Sequence, residues 1–283
     1  MKKMTFFFVF ICLLLTSCKE KKINLGQNAN FTLEENISYG IHPEQVMDLY
    51  IPQKNPNGKK EVFMIIHGGG WRAGNKSQLT FFTLSLMKKF PSHIFVNINY
   101  RLASETNYAL PDQMYDIKDV SAFLEKKLHY SPKFILLGNS AGGHLSMLYA
   151  YQFDPLKNVK AVINIVGPAD LTDASFKRYQ DYSFVERKLV NPQAPKSGIS
   201  RIHFGNPVQW IKKSSPPTLS YYGKTDRVIP STQAKILDSA LTQNNVIHET
   251  YTFNGGHLDW DKEPNNIFLI DKVETFLKRV DKK

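Results

Sequence analysis

The stretch FILLGNSAGG, residues 134–143, runs from a short apolar segment directly into a glycine-rich turn. A helical pattern follows at once, from His144 to Tyr151, so a G-x-S-x-G motif lies between a predicted strand and a predicted helix. A turn this sharp displays the side chain of Ser140 above the edge of a sheet. Glycine is required at 138 and 142, because a side chain there would collide with the crossing strand and helix.

A second glycine-rich turn lies upstream, where the apolar run 62–66 leads into HGGGW at 67–71. Consecutive glycines leave backbone N–H groups bare and accept positive φ. N–H groups fixed in this way stabilise the negative oxygen of a tetrahedral intermediate. We assign these oxyanion-hole donors to the amides of Gly69, Gly70 and Ala141. The alternative, a flexible linker, does not suit a segment that directly follows a buried strand.

A serine hydroxyl becomes nucleophilic when a neighbouring base accepts its proton and an acid orients that base. With the serine on such a turn, the expected chain order is serine, acid, histidine. His257 fits the base, because it lies in a glycine-rich loop after the last predicted strand. Asp226 fits the acid, because it follows the preceding predicted strand by a few residues. Asp170 follows an earlier strand and is the second choice for the acid.

Several other histidines and aspartates fit these roles less well. Asp259 and Asp261 come after the histidine and violate the expected order. His248 begins a strand, where a surface position is expected. His67 is expected to hold the glycine turn by hydrogen bonding, and His144 to be structural. The chain has no cysteine–histidine cluster and no phosphate-binding loop motif, so we expect no metal and no organic cofactor.

Predicted strands and helices alternate along most of the chain. The predicted strands are 46–51, 61–66, 94–98, 134–137, 159–166, 218–222 and 249–253, and the predicted helices are 79–90, 111–128, 144–151, 231–242 and 267–278. This alternation predicts an α/β fold with a doubly wound, mainly parallel sheet. The first of these strands ends at a proline and is expected to be an outer, antiparallel strand.

Residues 171–215 interrupt the alternation. They are rich in aromatic and polar side chains, and they are far longer than an ordinary connection between a strand and a helix. We predict a helical cap over the site, because caps shape substrate pockets and exclude water. The alternative is a structural excursion that makes no contact with substrate.

The N-terminus resembles an export signal. Two lysines precede an apolar run at 6–15, which is shorter than the roughly 20 residues that span a bilayer. The sequence LTSC at 15–18 resembles a bacterial lipobox, which predicts a signal peptide over 1–17 and lipid attachment at Cys18. The alternative is a plain signal peptide followed by a chance cysteine.

The domain limits, the cysteines and the net charge give three further expectations. Residues 18–30 are predicted to be a polar tether, and residues 31–283 one folded catalytic domain. The cysteines, Cys12 and Cys18, would be removed and acylated, so no intrachain disulfide is expected. The net charge is +11, but the lysines and arginines are dispersed, which argues against nucleic-acid binding and suits a solvated surface near anionic lipid or acidic polysaccharide.

Together these motifs resemble the α/β-hydrolase superfamily, and within it bacterial carboxylesterases with an HGGGW loop. That branch is related to hormone-sensitive-lipase-like enzymes and to acetyl and feruloyl esterases of plant polysaccharides. The matching segments occur in family order over most of the mature chain: 47–52, 67–71, 99–102, 138–145, 167–171, 226–230 and 256–257. The resemblance implies Ser140, Asp226 and His257 as the catalytic triad. One departure is Asn139, where the family often has an acidic residue.

The motifs and the resemblance predict a serine hydrolase that cleaves carboxylic esters through an acyl-enzyme. Its expected substrates carry short acyl groups, including acyl groups on carbohydrates, and the enzyme is expected to be exported and lipid-anchored to a bacterial membrane. An arylformamidase or peptidase with the same triad is one alternative. Another is a catalytically silent surface binding protein, a class that usually lacks a triad residue. No sequence feature indicates an oligomeric state.

Overall fold

The computed structural model describes residues 20–26, 28–53 and 58–282. The strands of this part of the chain are Lys21–Asn24 (β1), Asn30–Ser38 (β2), Val46–Pro52 (β3), Val62–Ile66 (β4), Ile94–Ile98 (β5), Phe134–Asn139 (β6), Val159–Ile165 (β7), Thr218–Gly223 (β8) and His248–Phe253 (β9). The α-helices are Thr80–Lys89 (α1), Asp112–Leu128 (α2), Ala141–Leu148 (α3), Tyr182–Lys188 (α4), Arg201–Phe204 (α5), Thr232–Gln243 (α6) and Asn265–Val280 (α7).

The strands form one sheet in the order β1-β2-β3-β5-β4-β6-β7-β8-β9. The pairs from β1 to β5 are antiparallel, whereas every neighbouring pair from β5 across to β9 is parallel. The prediction of a mainly parallel, doubly wound sheet is therefore confirmed. Strand β4 has β5 on one side and β6 on the other, so the chain changes direction across the sheet there. In open α/β sheets, ligands bind outside the carboxyl ends of the strands at such a point.

Strand β4 shows how the sequence pattern builds two cores. All five of its residues are buried, and their side chains alternate between the two faces of the sheet. Val62, Met64 and Ile66 belong to the core formed with α2, α3 and α6. Phe63 and Ile65 belong to the core formed with α1 and α7. A strand covered by helices on both faces reads as a continuous apolar run, as this one does.

The predicted polar tether at 18–30 is wrong for its described part. Strand β1 lies within it and pairs antiparallel with β2, with Lys21 opposite Leu33. The physical reason is apolar burial, because Ile23 and Leu25 pack against the same core as Phe31. The folded domain therefore begins before residue 31.

The predicted signal peptide at 1–17 and the predicted lipid site at Cys18 lie outside the described residues. Among the helices of the described ranges, none has both the length and the apolar character needed to cross a bilayer.

The predicted cap region, 171–215, contains α4, α5 and two short 3-10 helices, Phe176–Arg178 and Pro207–Trp210. Its buried side chains include Phe176 and Tyr182, which join the core on the α2 face of the sheet. The segment is thus packed onto the domain through its own aromatic residues.

The aromatic contacts of Phe63, on the face of β4 that α1 and α7 cover, predict a large effect on stability. Phe63 is fully buried and its ring stacks on Phe95, with centroids 4.9 Å apart. We expect Phe63→Ala to lower the free energy of unfolding by about 3–5 kcal/mol, as measured by urea denaturation. Phe81→Ala is the matched control: its side chain is 74% exposed, so a change within about 0.5 kcal/mol is expected. Equal losses in the two variants would contradict this description of the core.

Candidate active site

Ser140 occupies the reversal of the chain between β6 and α3. Its φ of +53° and ψ of −121° lie in a region of backbone conformation that residues other than glycine rarely adopt. The reversal depends on the flanking glycines. A Cβ atom at Gly142 would lie 2.0 Å from the carbonyl oxygen of Ile66 in β4, and one at Gly138 would lie 2.3 Å from the backbone of Gly142. The crossing strand and helix therefore exclude side chains at both positions, as the sequence predicted.

The structure brings His257 and Asp226 to Ser140. The imidazole Nε2 lies 2.9 Å from the Ser140 Oγ, and the Nδ1 lies 2.8 Å from the Asp226 Oδ2. A carboxylate only accepts hydrogen bonds, so the Nδ1–H donates to Asp226 and leaves Nε2 to accept from the serine hydroxyl. Such a chain can move the hydroxyl proton onto the imidazole while the carboxylate stabilises the resulting charge.

The Asp226 carboxylate is held rigidly. Its side chain is fully buried, and its Oδ1 accepts the backbone N–H groups of Val228 at 2.8 Å and Ile229 at 2.9 Å. The second oxygen is left for His257. Strands β6, β8 and β9 each deliver one of the three residues at their carboxyl ends, although these residues are far apart in the chain.

The alternative acids have other partners. The Oδ1 of Asp170 accepts from the backbone and hydroxyl of Thr172 and from the Asn206 side chain, which stabilises the start of the cap region. Asp259 accepts the N–H of Gly256 and thereby shapes the loop that carries the histidine. Asp261 lines the pocket next to this loop without a place in the hydrogen-bonded chain.

The HGGGW loop lies directly against the serine turn. A Cβ atom at Gly68 would lie 3.2 Å from the Cβ of Ser140. Gly69 and Gly70 follow with φ of +117° and +59°. Among the described residues, no acceptor takes the N–H of Gly69 or Gly70, and the loop closes through N–H groups of later residues onto the Gly69 carbonyl. Ala141 is the first residue of α3, where helix geometry leaves the N–H without an intrahelical partner.

Trp71 continues the loop in the left-handed region, with φ of +63°. This conformation costs a non-glycine residue on the order of 1–2 kcal/mol. The Trp71 carbonyl accepts from the N–H of Ala103 at 3.0 Å and from Gln113 Nε2 at 2.8 Å. The indole N–H donates to the Nδ1 of His144 at 3.1 Å. A buried indole N–H needs an acceptor, but no local sequence pattern indicates that this acceptor is His144.

The other histidines near the site are buried and uncharged. His67 donates from Nδ1 to the Gly68 carbonyl and stacks on Tyr100, with ring centroids 4.3 Å apart. This contact matches its expected role of holding the loop. His144 bonds the Gly205 carbonyl through Nε2 at 2.7 Å. Desolvation by burial lowers the pKa of His67 and the pKa of His144 to about 4.

Ser140 and His257 open onto a pocket of about 540 Å³. Phe176, Tyr179 and Asp181 of the cap region line it. An ion pair ties this wall to the glycine-rich loop, because the Arg72 guanidinium lies 2.8 Å from Asp181 Oδ2. Arg72 also lies over the Phe184 ring, 5.0 Å from its centroid. The cap region therefore forms one wall of the pocket. No local sequence pattern indicates the ion pair, because its partners are far apart in the chain.

Comparison with solved structures shows which fold the chain has. The chain has the α/β-hydrolase fold, and it superposes on a truncated carbohydrate esterase from gut microbiota with a TM-score of 0.71 and 19% identity, covering 90% of this chain and 99% of that one. Esterase B from Lactobacillus rhamnosis gives a TM-score of 0.72 at 22% identity, covering 92% of this chain and 89% of that one.

The BD-FAE family model matches residues 47–241, and the chain belongs to this family. Two curated relatives come from Mycobacterium tuberculosis (strain ATCC 25618 / H37Rv). Esterase LipC is 28% identical over 215 residues, which cover 70% of this chain and 52% of LipC. Probable carboxylic ester hydrolase LipM is 28% identical over 232 residues, which cover 76% of this chain and 53% of LipM. The chain thus spans about half the length of these relatives.

The two buried histidines make stability depend on pH. Their folded pKa of about 4 lies below the unfolded value of about 6.5, so the unfolded chain binds more protons as the pH falls through this window. We expect each to remove about 2–3 kcal/mol of stability between pH 7 and pH 4.5, as measured by urea denaturation. In His144→Asn the loss of stability between pH 7 and pH 4.5 should be smaller than in the wild type by the roughly 2–3 kcal/mol that one histidine contributes. An identical pH dependence in the wild type and the variant would contradict this assignment.

Proposed function

We propose that the protein is a serine hydrolase that cleaves carboxylic esters. The observation that carries this proposal is the continuous hydrogen-bonded chain from Asp226 through His257 to Ser140, at the mouth of a pocket. The names of two curated relatives, Esterase LipC and Probable carboxylic ester hydrolase LipM, support the same reaction class.

In the first half of the proposed reaction, Ser140 attacks the ester carbonyl while His257 Nε2 accepts the hydroxyl proton. The carbonyl oxygen becomes negative and receives hydrogen bonds from the amides of Gly69, Gly70 and Ala141. Backbone donors of this kind are fixed by the fold, so little reorganisation is needed when the charge develops. The partial positive charge at the N-terminus of α3 also stabilises this negative oxygen.

Collapse of the tetrahedral intermediate breaks the bond to the alcohol, and His257 donates its proton to the leaving oxygen. A water molecule then attacks the acyl-enzyme with His257 again as the base, which releases the acid and restores Ser140. Asp226 accepts the Nδ1–H bond and holds the imidazole with Nε2 towards the serine.

We propose short acyl groups on polar alcohols, including carbohydrates, as the substrate class. The pocket combines apolar side chains of Pro168, Val228 and Ile229 with polar groups of Gln78 and Asp181. The apolar groups suit an acyl chain, and the polar groups suit hydroxyls on the alcohol. The test compares p-nitrophenyl esters of increasing acyl length with acetylated xylan and methyl ferulate. Faster turnover of long-chain than of acetyl esters would contradict the proposal.

The roles of the three residues give a kinetic prediction. Ser140→Ala and His257→Ala should each lower kcat on p-nitrophenyl acetate by at least about 10³-fold, because such residues act as a unit. His248→Ala is the matched control, since His248 begins β9 and bonds the Val246 carbonyl. It should keep kcat within about twofold. Normal turnover in His257→Ala would refute the base assignment.

An arylformamidase is the second candidate. It is favoured by similarity to Kynurenine formamidase avaC from Aspergillus versicolor, 30% identical over 120 residues that cover 38% of this chain and 42% of avaC. The proposed chemistry applies to a formamide with an aromatic amine as leaving group. Measurement of kcat/KM on N-formylkynurenine beside p-nitrophenyl acetate separates the two, and a higher value for the formamide would replace the ester proposal.

We also propose that the chain is exported and anchored to a bacterial membrane by lipid on Cys18. The support is the lipobox-like sequence at 15–18 that follows a basic and apolar leader. Cys18→Ser should move the protein from the membrane fraction to the soluble fraction and abolish incorporation of labelled palmitate. Cys12→Ser, in the leader, is the matched control and should change neither. Palmitate labelling that persists in Cys18→Ser would contradict the proposal.

A further inference from the structure

The loop after β4 contains three consecutive residues with positive φ, namely Gly69, Gly70 and Trp71. The two glycines adopt this conformation without a steric penalty, whereas the tryptophan does not. A strained residue persists only where its surroundings over-determine it. The contacts of Trp71 therefore decide whether the two neighbouring glycine amides keep their direction.

Two side chains hold the indole ring. His144 accepts the indole N–H at 3.1 Å, and its ring meets the indole edge to face, with centroids 5.1 Å apart. Phe184 of α4 stacks against the indole at 6.3 Å. Trp71 is 3% exposed and His144 is fully buried, so water does not replace the bond if it is lost.

The partners of His144 fix its tautomer. An indole N–H only donates, so the Nδ1 of His144 carries no proton. The Nε2–H then donates to the carbonyl of Gly205 at 2.7 Å. Both ring nitrogens are thus engaged within the protein, and the ring is not among the groups that line the pocket. His144 therefore takes no part in proton transfer to substrate.

The position of His144 on α3 gives the contact its consequence. His144 lies on the first turn of the helix, and its N–H donates to the carbonyl of Ser140 at 3.1 Å. The same turn begins with Ala141. His144 thus joins the turn that holds Ser140 and the Ala141 amide to the loop that holds the Gly69 and Gly70 amides.

We propose that His144 is a positioning residue for the oxyanion hole. By accepting the Trp71 N–H, it fixes the amides of Gly69 and Gly70 relative to the amide of Ala141. This inference rests on the proposed function, and it assigns to His144 a role beyond packing. Misplacement of oxyanion donors by a fraction of an ångström weakens transition-state binding while ground-state binding is little affected.

Three variants test the inference. His144→Asn places an amide oxygen near the position of Nδ1 and keeps an acceptor for Trp71. His144→Leu fills the space without an acceptor. Trp71→Phe keeps an aromatic ring against Phe184 and removes the indole donor. The double variant Trp71→Phe/His144→Leu asks whether the two residues act through one bond, since partners in one interaction are not additive.

The measurements are kcat and KM on p-nitrophenyl acetate, and the inhibition constant of a boronic acid that forms a tetrahedral adduct with serine. Active sites are counted by titration, so that partial misfolding does not enter kcat. We expect His144→Leu and Trp71→Phe each to lower kcat about 10- to 100-fold with KM within threefold, and to weaken the boronic acid by the same factor. His144→Asn should recover kcat to within about fivefold of the wild type, and the double variant should match the single variants.

Full kcat in Trp71→Phe, or multiplied losses in the double variant, would overturn the inference. So would a rise in KM with unchanged kcat, because that pattern indicates lost substrate binding instead of lost oxyanion stabilisation. Slow hydrogen exchange of the indole proton, kept in His144→Asn and lost in His144→Leu, is expected by NMR and does not depend on activity. Failure of the proposed function is a separate result, since the wild type itself would then leave p-nitrophenyl acetate uncleaved.

Discussion

The reversal of the chain at Ser140 constrains everything around it. A strand and a helix meet there so closely that a single Cβ atom at Gly142 would reach the backbone of the neighbouring strand β4. Because residues 138 and 142 are glycine, α3 packs closely against β4 and β6, and its N-terminus lies next to the loop that follows β4. The strain at Ser140 is thus maintained by the packing of a buried sheet, and it leaves the hydroxyl facing the pocket.

The other groups of the site, His257, Asp226 and the glycine-rich loop, lie at the same edge of the sheet. His257 and Asp226 arrive from the ends of β9 and β8, and the hydrogen bonds to the Asp226 carboxylate leave one of its oxygens for the imidazole. The glycine-rich loop arrives from the end of β4. The indole of Trp71 and the imidazole of His144 connect this loop to α3, and Gly205 extends the connection to the cap region. The strained loop that contains Trp71 is therefore held by hydrogen bonds between residues that are far apart in the chain.

Much of this could be predicted from sequence, because it depends on local patterns. The apolar runs predicted the bounds of β3 to β9, and the helical periodicities predicted those of α1, α2, α3, α6 and α7, all to within three residues. The order of the motifs predicted that three side chains meet at one edge of the sheet. Strands β1 and β2 were not predicted, since their few apolar residues form no clear pattern until the strands pair with each other. The prediction that 46–51 is an outer strand is therefore wrong, because β3 pairs antiparallel with both β2 and β5. The Arg72–Asp181 ion pair and the Trp71–His144 bond were missed because no local pattern links residues so far apart.

We propose that the packing of the sheet and helix displays an activated serine at residue 140. The most direct measurement is peptide mapping by mass spectrometry after treatment of the folded protein with a fluorophosphonate, which reacts with activated serines. We expect a single stoichiometric adduct on Ser140. An unmodified Ser140, or an adduct on another residue in its place, would contradict it.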